Sequence, residues 1–171
     1  MRYSGLILND FTAAPGISVS FFTQGCPFRC KGCHNPESWD YEGGKEFTNE
    51  VLEQIIQGLT ANGIERNLAI MGGEPLCPEN LFLTTLLITE VKRRSPKTMI
   101  FIWTGYTYEE LKEMNNTKVQ SILNTIDCLI DGPYVEELRD ITLQMRGSSN
   151  QRILVMPEGK EVAGICSQNQ F

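Results

Sequence analysis

Gly25-Cys26-Pro27-Phe28-Arg29-Cys30-Lys31-Gly32-Cys33-His34-Asn35-Pro36 crowds three thiols into one short loop. Glycine and proline punctuate it and leave no room for a regular helix or strand, so it can fold three sulfurs toward a common point. A bound metal centre is the natural reading. Three local thiolates without an evident fourth ligand point to an iron–sulfur cluster with one iron open to something other than protein, because closed iron–sulfur and structural zinc sites take four protein ligands. The loop taken alone leaves two other readings open: a zinc-stabilised binding module and a small electron carrier.

Working outward, residues 17–22 are β-branched and aromatic and read as the strand that delivers the chain into this loop. Residues 3–8 read as another, set off by the Pro15-Gly16 turn. Beyond the loop, Phe47 and Thr48 look like a hydrophobic staple and an N-cap, and Val51, Leu52, Ile55, Ile56 and Leu59 form an apolar helical stripe ending at Asn62-Gly63. Residues 68–71 make a short apolar run closed by two glycines, as a buried parallel strand does. A helix follows from Pro78 to about Ser95, then a strand at 99–103. Thr107 caps a helix holding Tyr108, Leu111 and Met114, and another helix spans 117–123. Residues 128–130 form a strand ending at Asp131-Gly132-Pro133, and residues 153–155 form the last.

Strands alternating with helices imply parallel βαβ units with right-handed crossovers. A full (βα) barrel takes about 250 residues. A chain of 171 residues supplies only about five or six parallel βα units. The expected fold is therefore α/β, an open partial (βα) barrel or strongly curved sheet. It forms a single domain over 1–171, with its core at about 16–155 and a weakly patterned, mobile tail at 157–171. In such folds ligands lie at the carboxyl ends of the strands. The cysteine loop, Gly72-Gly73-Glu74-Pro75, Thr104-Gly105-Tyr106 and Asp131-Gly132-Pro133 each follow a strand, so all four converge on one face.

Composition narrows the partners. A formal net charge of -6 and a pI near 4.9 argue against a nucleic-acid surface or a polybasic membrane anchor. The short Lys92-Arg93-Arg94 run reads as the solvated end of a helix. No stretch approaches the ~20 apolar residues of a membrane span, and Arg2-Tyr3-Ser4 does not open a signal peptide. A cytoplasmic protein is expected. Of six cysteines, three lie within eight positions, which fits metal ligation in a reducing compartment better than disulfides. Cys77, Cys128 and Cys166 are scattered and read as packed or free thiols.

The C-x3-C-x2-C loop after one strand, with Gly72-Gly73-Glu74 after the next, resembles the radical S-adenosylmethionine (SAM) superfamily. That resemblance implies a [4Fe-4S] cluster on Cys26, Cys30 and Cys33, with the amino and carboxylate groups of SAM on the fourth iron. It also implies reductive cleavage of SAM to a 5'-deoxyadenosyl radical. Gly72 and Gly73 would let backbone approach the ligand, and the Glu74 carboxylate is a candidate partner for the SAM ammonium group; a strand-ending turn with a solvated glutamate is the plainer alternative. Thr104 and Asp131 are candidate contacts to SAM or to an incoming peptide, with a capping hydroxyl and a turn-forming aspartate as the plain alternatives.

Trp103-Thr104-Gly105-Tyr106, Leu129-Ile130-Asp131-Gly132-Pro133-Tyr134-Val135 and Arg146-Gly147-Ser148-Ser149-Asn150-Gln151-Arg152 resemble the series in anaerobic (class III) ribonucleotide reductase activating proteins. The resemblance runs from about Gly16 to Arg152. It implies a glycyl radical made on the large reductase subunit, which covers the open face, and a low-potential electron donor such as flavodoxin. Glu74 in place of Asp, and His34 in place of Tyr after the last cysteine, are similar to activases of other glycyl radical enzymes such as pyruvate formate-lyase. His34, the only histidine, reads as a packing or hydrogen-bonding group beside the cluster. Arg146 and Arg152 flank a loop that faces either the partner or the SAM carboxylate, with solvated arginines as the plain alternative.

Overall fold

The computed structural model describes residues 1–164. Its strands are β1 (Arg2–Asp10), β2 (Ser18–Thr23), β3 (Lys45–Glu46), β4 (Asn67–Gly72), β5 (Ile100–Trp103), β6 (Cys128–Asp131), β7 (Arg152–Val155) and β8 (Lys160–Val162). Its helices are α1 (Asn49–Leu59), α2 (Pro78–Arg94), α3 (Tyr108–Glu113) and α4 (Thr117–Leu123). The strands form one mixed sheet in the order β3-β1-β2-β4-β5-β6-β7-β8.

The α/β class is as expected, but the number of parallel units is smaller. Only β2, β4, β5 and β6 run parallel, joined across α1, α2 and the α3–α4 pair. The flanking pairs β1–β2, β1–β3, β6–β7 and β7–β8 are antiparallel. Connection length explains this. A parallel crossover needs a dozen or more residues, and the link from β1 to β2 is shorter than that, so the chain turns back as a hairpin. The link from β6 to β7 contains only a 3-10 turn at Glu136–Leu138 and no α-helix to cover the sheet, so the chain re-enters from the same end. Residues 153–155 are not the last strand, because β8 follows inside the stretch expected to be a mobile tail. Cys166 lies outside the described residues.

Alternation along the central strands produces two apolar faces. Val19, Phe21, Leu68, Ile70, Ile100, Ile102 and Leu129 pack beneath the helices against Ile55, Leu59, Leu83, Leu87 and Val91. On the opposite face Phe101, Cys128, Ile130, Ile153 and Val155 gather around Ala14 of the β1–β2 turn. Burying each such side chain contributes about 1.5–3 kcal/mol, so the parallel strands are held from both sides. Cys128 is a core thiol, as its sequence context suggests.

The helix ends are set locally. Pro78 starts α2, where a missing N–H costs nothing, and Lys92, Arg93 and Arg94 end it against the negative pole of its dipole. Thr107 and Glu110 form a reciprocal capping box on α3. Thr48 occupies the N-cap of α1, but its hydroxyl makes no cap bond. Among the described residues no helix is long and apolar enough to cross a membrane.

Candidate metal and cofactor site

The cysteine loop leaves the carboxyl end of β2 and is pinned from behind. Gln24 donates through Nε2 to the carbonyls of Glu37 at 3.0 Å and Asp40 at 2.6 Å. The Gly25 N–H reaches Ser38 O at 2.7 Å and the Cys26 N–H reaches Trp39 O at 3.3 Å. Within the loop, Arg29 at φ 49° and Gly32 at φ 75° reverse the chain, a conformation that costs the non-glycine residue. Cys26, Cys30 and Cys33 are unpaired thiols, each half-buried. The Asn35 N–H donates to Cys33 Sγ at 3.4 Å. Burial pushes the Cys26 and Cys30 thiols above their ordinary range.

This donor set fits an iron–sulfur cluster. Three soft ligands share one loop, backbone N–H groups face sulfur, and loading must release the thiol protons. Among the described residues no three His, Cys, Asp or Glu side chains close around the position of a single metal ion.

The loop after β4 nests directly against the cysteine loop. Gly73 N–H donates to Thr23 O at 2.9 Å and Glu74 N–H to Gly25 O at 2.8 Å. Asn80 Nδ2 bridges Gly25 O at 3.1 Å and Glu74 O at 2.9 Å. Gly72 has φ 102°, and a Cβ there would lie 2.8 Å from Phe22 Cα; one on Gly73 would overlap the Gly25 carbonyl. Both glycines are therefore required for the close approach of two loops.

Glu74, Thr104 and Asp131 all stand at the strand ends, but their polar atoms bind neighbouring loops. Glu74 is 1% exposed. Its Oε1 accepts the Leu76 N–H at 2.9 Å and the Thr104 hydroxyl at 2.8 Å, and its Oε2 accepts the Gly105 N–H at 2.7 Å. Burial raises its pKa to about 7 against the pull of those three donors. Asp131, also 1% exposed, accepts Arg152 Nε at 3.0 Å and the Tyr108 N–H at 2.7 Å. Arg152 forks onward to Glu109 at 3.1 and 2.6 Å, so it is a tie between β7 and α3. Cys77 is fully buried, and burial pushes its thiol to about 11.

Beside these loops lies a cavity of about 550 Å³ whose walls include Cys33, His34, Gly72, Trp103, Tyr134 and Arg146. His34 rests against Tyr134 with ring centres 5.8 Å apart, the packing expected of it. Arg146 makes only long bonds, 3.4–3.5 Å, to backbone carbonyls, and no carboxylate pairs with it among the described residues. Sequence reasoning missed Trp103 as a wall of this cavity, although an indole at the last position of a strand was a usable signal. Its Nε1–H donates to Met145 O at 2.7 Å and holds the 139–151 loop over the cavity. A second cavity of about 270 Å³ sits at the amino ends of β4 and β5 around Arg66, Asn67 and Thr98, away from every thiol of the loop.

A family of 4Fe-4S single cluster domains matches residues 13–154. The anaerobic ribonucleoside-triphosphate reductase-activating protein of Vibrio cholerae is 37% identical over 154 residues, covering 90% of this chain and 97% of that protein. The protein of the same name from Escherichia coli K12 is 34% identical over 152 residues, covering 88% and 96%. That of bacteriophage T4 is 34% identical over 159 residues, covering 93% and 97%.

Proposed function

Because this chain belongs to the family of anaerobic ribonucleoside-triphosphate reductase-activating proteins, which carry a 4Fe-4S domain, we propose that it activates that reductase by generating a glycyl radical on its large subunit. The observation that carries the reading is the nesting of the three-cysteine loop on Gly72-Gly73-Glu74, through the bond from Glu74 N–H to Gly25 O, beside a cavity that Cys33 and Gly72 share.

Cys26, Cys30 and Cys33 would hold the [4Fe-4S] cluster, leaving one iron open to the amino and carboxylate groups of SAM. When bound and reduced by an external donor, the cluster would pass on the one electron that cleaves SAM to methionine and a 5'-deoxyadenosyl radical able to take a hydrogen atom from a glycine. The protein's own share is positional. Gly72 brings backbone to the cavity wall, where its carbonyl can accept from the SAM ammonium group, and Gly73 lets that loop close on Gly25. Glu74 and Thr104 brace that wall from behind, and Asp131 and Arg152 brace the next loop. Among the described residues that line the cavity, Arg146 has no carboxylate partner and is available to a carboxylate there.

In this reading residues 16–155 form the core of one radical SAM domain with an open partial barrel. The order β2-β4-β5-β6 follows the chain, so right-handed crossovers place all the helices on one face, as in a (βα) barrel and unlike a doubly wound sheet. An open face leaves room for the reductase to cover the cavity and exclude solvent. A low-potential donor such as flavodoxin supplies the electron, and unpaired thiols suit a reducing cytoplasm.

The test is anaerobic reconstitution with iron and sulfide, then incubation with SAM, dithionite and the reductase. A doublet electron paramagnetic resonance signal on the reductase and release of 5'-deoxyadenosine are expected. A signal with a pyruvate formate-lyase-type enzyme and none with the reductase would refute the choice of partner.

A further inference from the structure

The first strand is left open on one side. β1 is nine residues long, yet β3 pairs with its outer edge only at Arg2 and Tyr3. Beyond these, nothing among the described residues pairs with that edge over residues 4–9. Exposed edges of this kind are ordinarily blunted by lysine, proline or a covering loop, because their free N–H and C=O groups template another strand. Here residues 4–9 read Ser-Gly-Leu-Ile-Leu-Asn, with neither charge nor proline. Register shifts fall between Tyr3 and Gly5 and between Ile7 and Asp10; in the segment between them Gly5, Leu6 and Ile7 keep regular pairing with Phe22, Phe21 and Ser20 on the inner side, so the backbone there is held extended. Ile7 is 45% exposed, Leu8 38% and the adjoining Phe11 71%.

This edge is continuous with the candidate site. Ile7, Asp10 and Thr12 line the same cavity as Cys33 and Gly72. The complement of an open strand edge is another extended backbone, with apolar side chains flanking it for added affinity. Building on the function proposed above, we propose that residues 5–9 of β1 take an extended segment of the reductase polypeptide as an added strand, which leads its glycine-bearing part into the cavity. Pairing of β1 with β1 in a second copy would consume the edge without delivering a substrate, and the continuity with the cavity favours the reductase.

Hydrogen–deuterium exchange on the cluster-loaded protein with SAM, before and after adding the reductase, tests this. Amides within residues 4–9 should slow by about tenfold or more on mixing. The double variant Leu8→Lys, Phe11→Asp should bind the reductase about tenfold more weakly. Its melting temperature should stay within a few degrees of the parent's and its SAM cleavage with dithionite alone within twofold. Reductase binding that leaves residues 4–9 exchanging freely overturns the proposal. So does protection that depends on the concentration of this chain alone, with the double variant monomeric and its affinity for the reductase unchanged. Absence of SAM cleavage by the parent protein removes the functional reading, and this proposal with it.

Discussion

The Thr104 hydroxyl donates to the Glu74 carboxylate at 2.8 Å across thirty residues of chain, tying the loop after β4 to the loop after β5. The tie is one of a series along the strand ends. Gly105 N–H closes on the same carboxylate, Gly132 N–H on Tyr106 O at 2.9 Å, and Tyr108 N–H on Asp131. The loops after β2, β4, β5 and β6 are thereby one hydrogen-bonded rim, and a change in one is felt in the next.

Removing the Glu74 side chain strands three donors in a buried place. Glu74→Ala should lower stability by about 2–4 kcal/mol, because unsatisfied buried donors lose their full solvation. The Michaelis constant for SAM should rise by about tenfold through displacement of Gly72 and Gly73, and Glu74→Gln should recover part of both. Urea unfolding and steady-state SAM cleavage measure the two effects. An unchanged Michaelis constant would show that the rim does not position the glycines.

The same carboxyl group gives a pH signature. A glutamate in the unfolded chain ionises near 4.5, and burial holds Glu74 protonated up to about 7. Between these values the folded chain carries the extra proton, so the slope of unfolding free energy with pH is negative. Stability from this group is fully present below about 4.5 and is lost as pH rises through about 7, by an amount on the order of 3 kcal/mol. Melting temperatures of the parent should fall more steeply across that window than those of Glu74→Gln; parallel curves exclude the effect.

Cys30 stands in the middle of the loop, with Cys33 N–H bonded to its carbonyl at 3.1 Å. Cys30→Ala should leave the fold in place while abolishing the brown cluster absorbance and the release of 5'-deoxyadenosine. Cleavage persisting in this variant would remove the ligand assignment.

Asp131 and Arg152 form a pair in which one partner is 1% and the other 30% exposed at the side chain. Asp131→Asn keeps the shape but leaves Arg152 with Glu109 alone. A loss of about 2 kcal/mol is expected, below that of a wholly buried pair because Arg152 is partly solvated. A urea midpoint that does not move would place the stabilisation elsewhere in the rim.

Much of this was legible in the chain. The apolar runs marked β2, β4, β5 and β6 to within a residue or two, since strands buried on both faces are rich in apolar and β-branched residues, with a buried polar side chain such as Ser20 kept by its bond to Asp10. Thr107 marked the start of α3 and Pro78 that of α2, because capping and proline chemistry act over a single turn. The direction of β1 and β7 was not legible from apolar pattern, which is the same for parallel and antiparallel strands. Connection length carried that information.

The sequence by itself determined the chemistry available: three thiols in one glycine-punctuated loop, two glycines and a glutamate at the next strand end, and the family to which these belong. Only the tertiary structure decided how Glu74, Thr104 and Asp131 use their polar atoms. A carboxylate or hydroxyl reads identically in sequence whether it faces a cavity or a neighbouring loop, and its hydrogen-bond partners, Gly105 N–H and Arg152 among them, lie tens of residues away and meet it only once the sheet has formed. The open edge of β1 is of the same kind, since it is defined by what the other described residues do not place beside it.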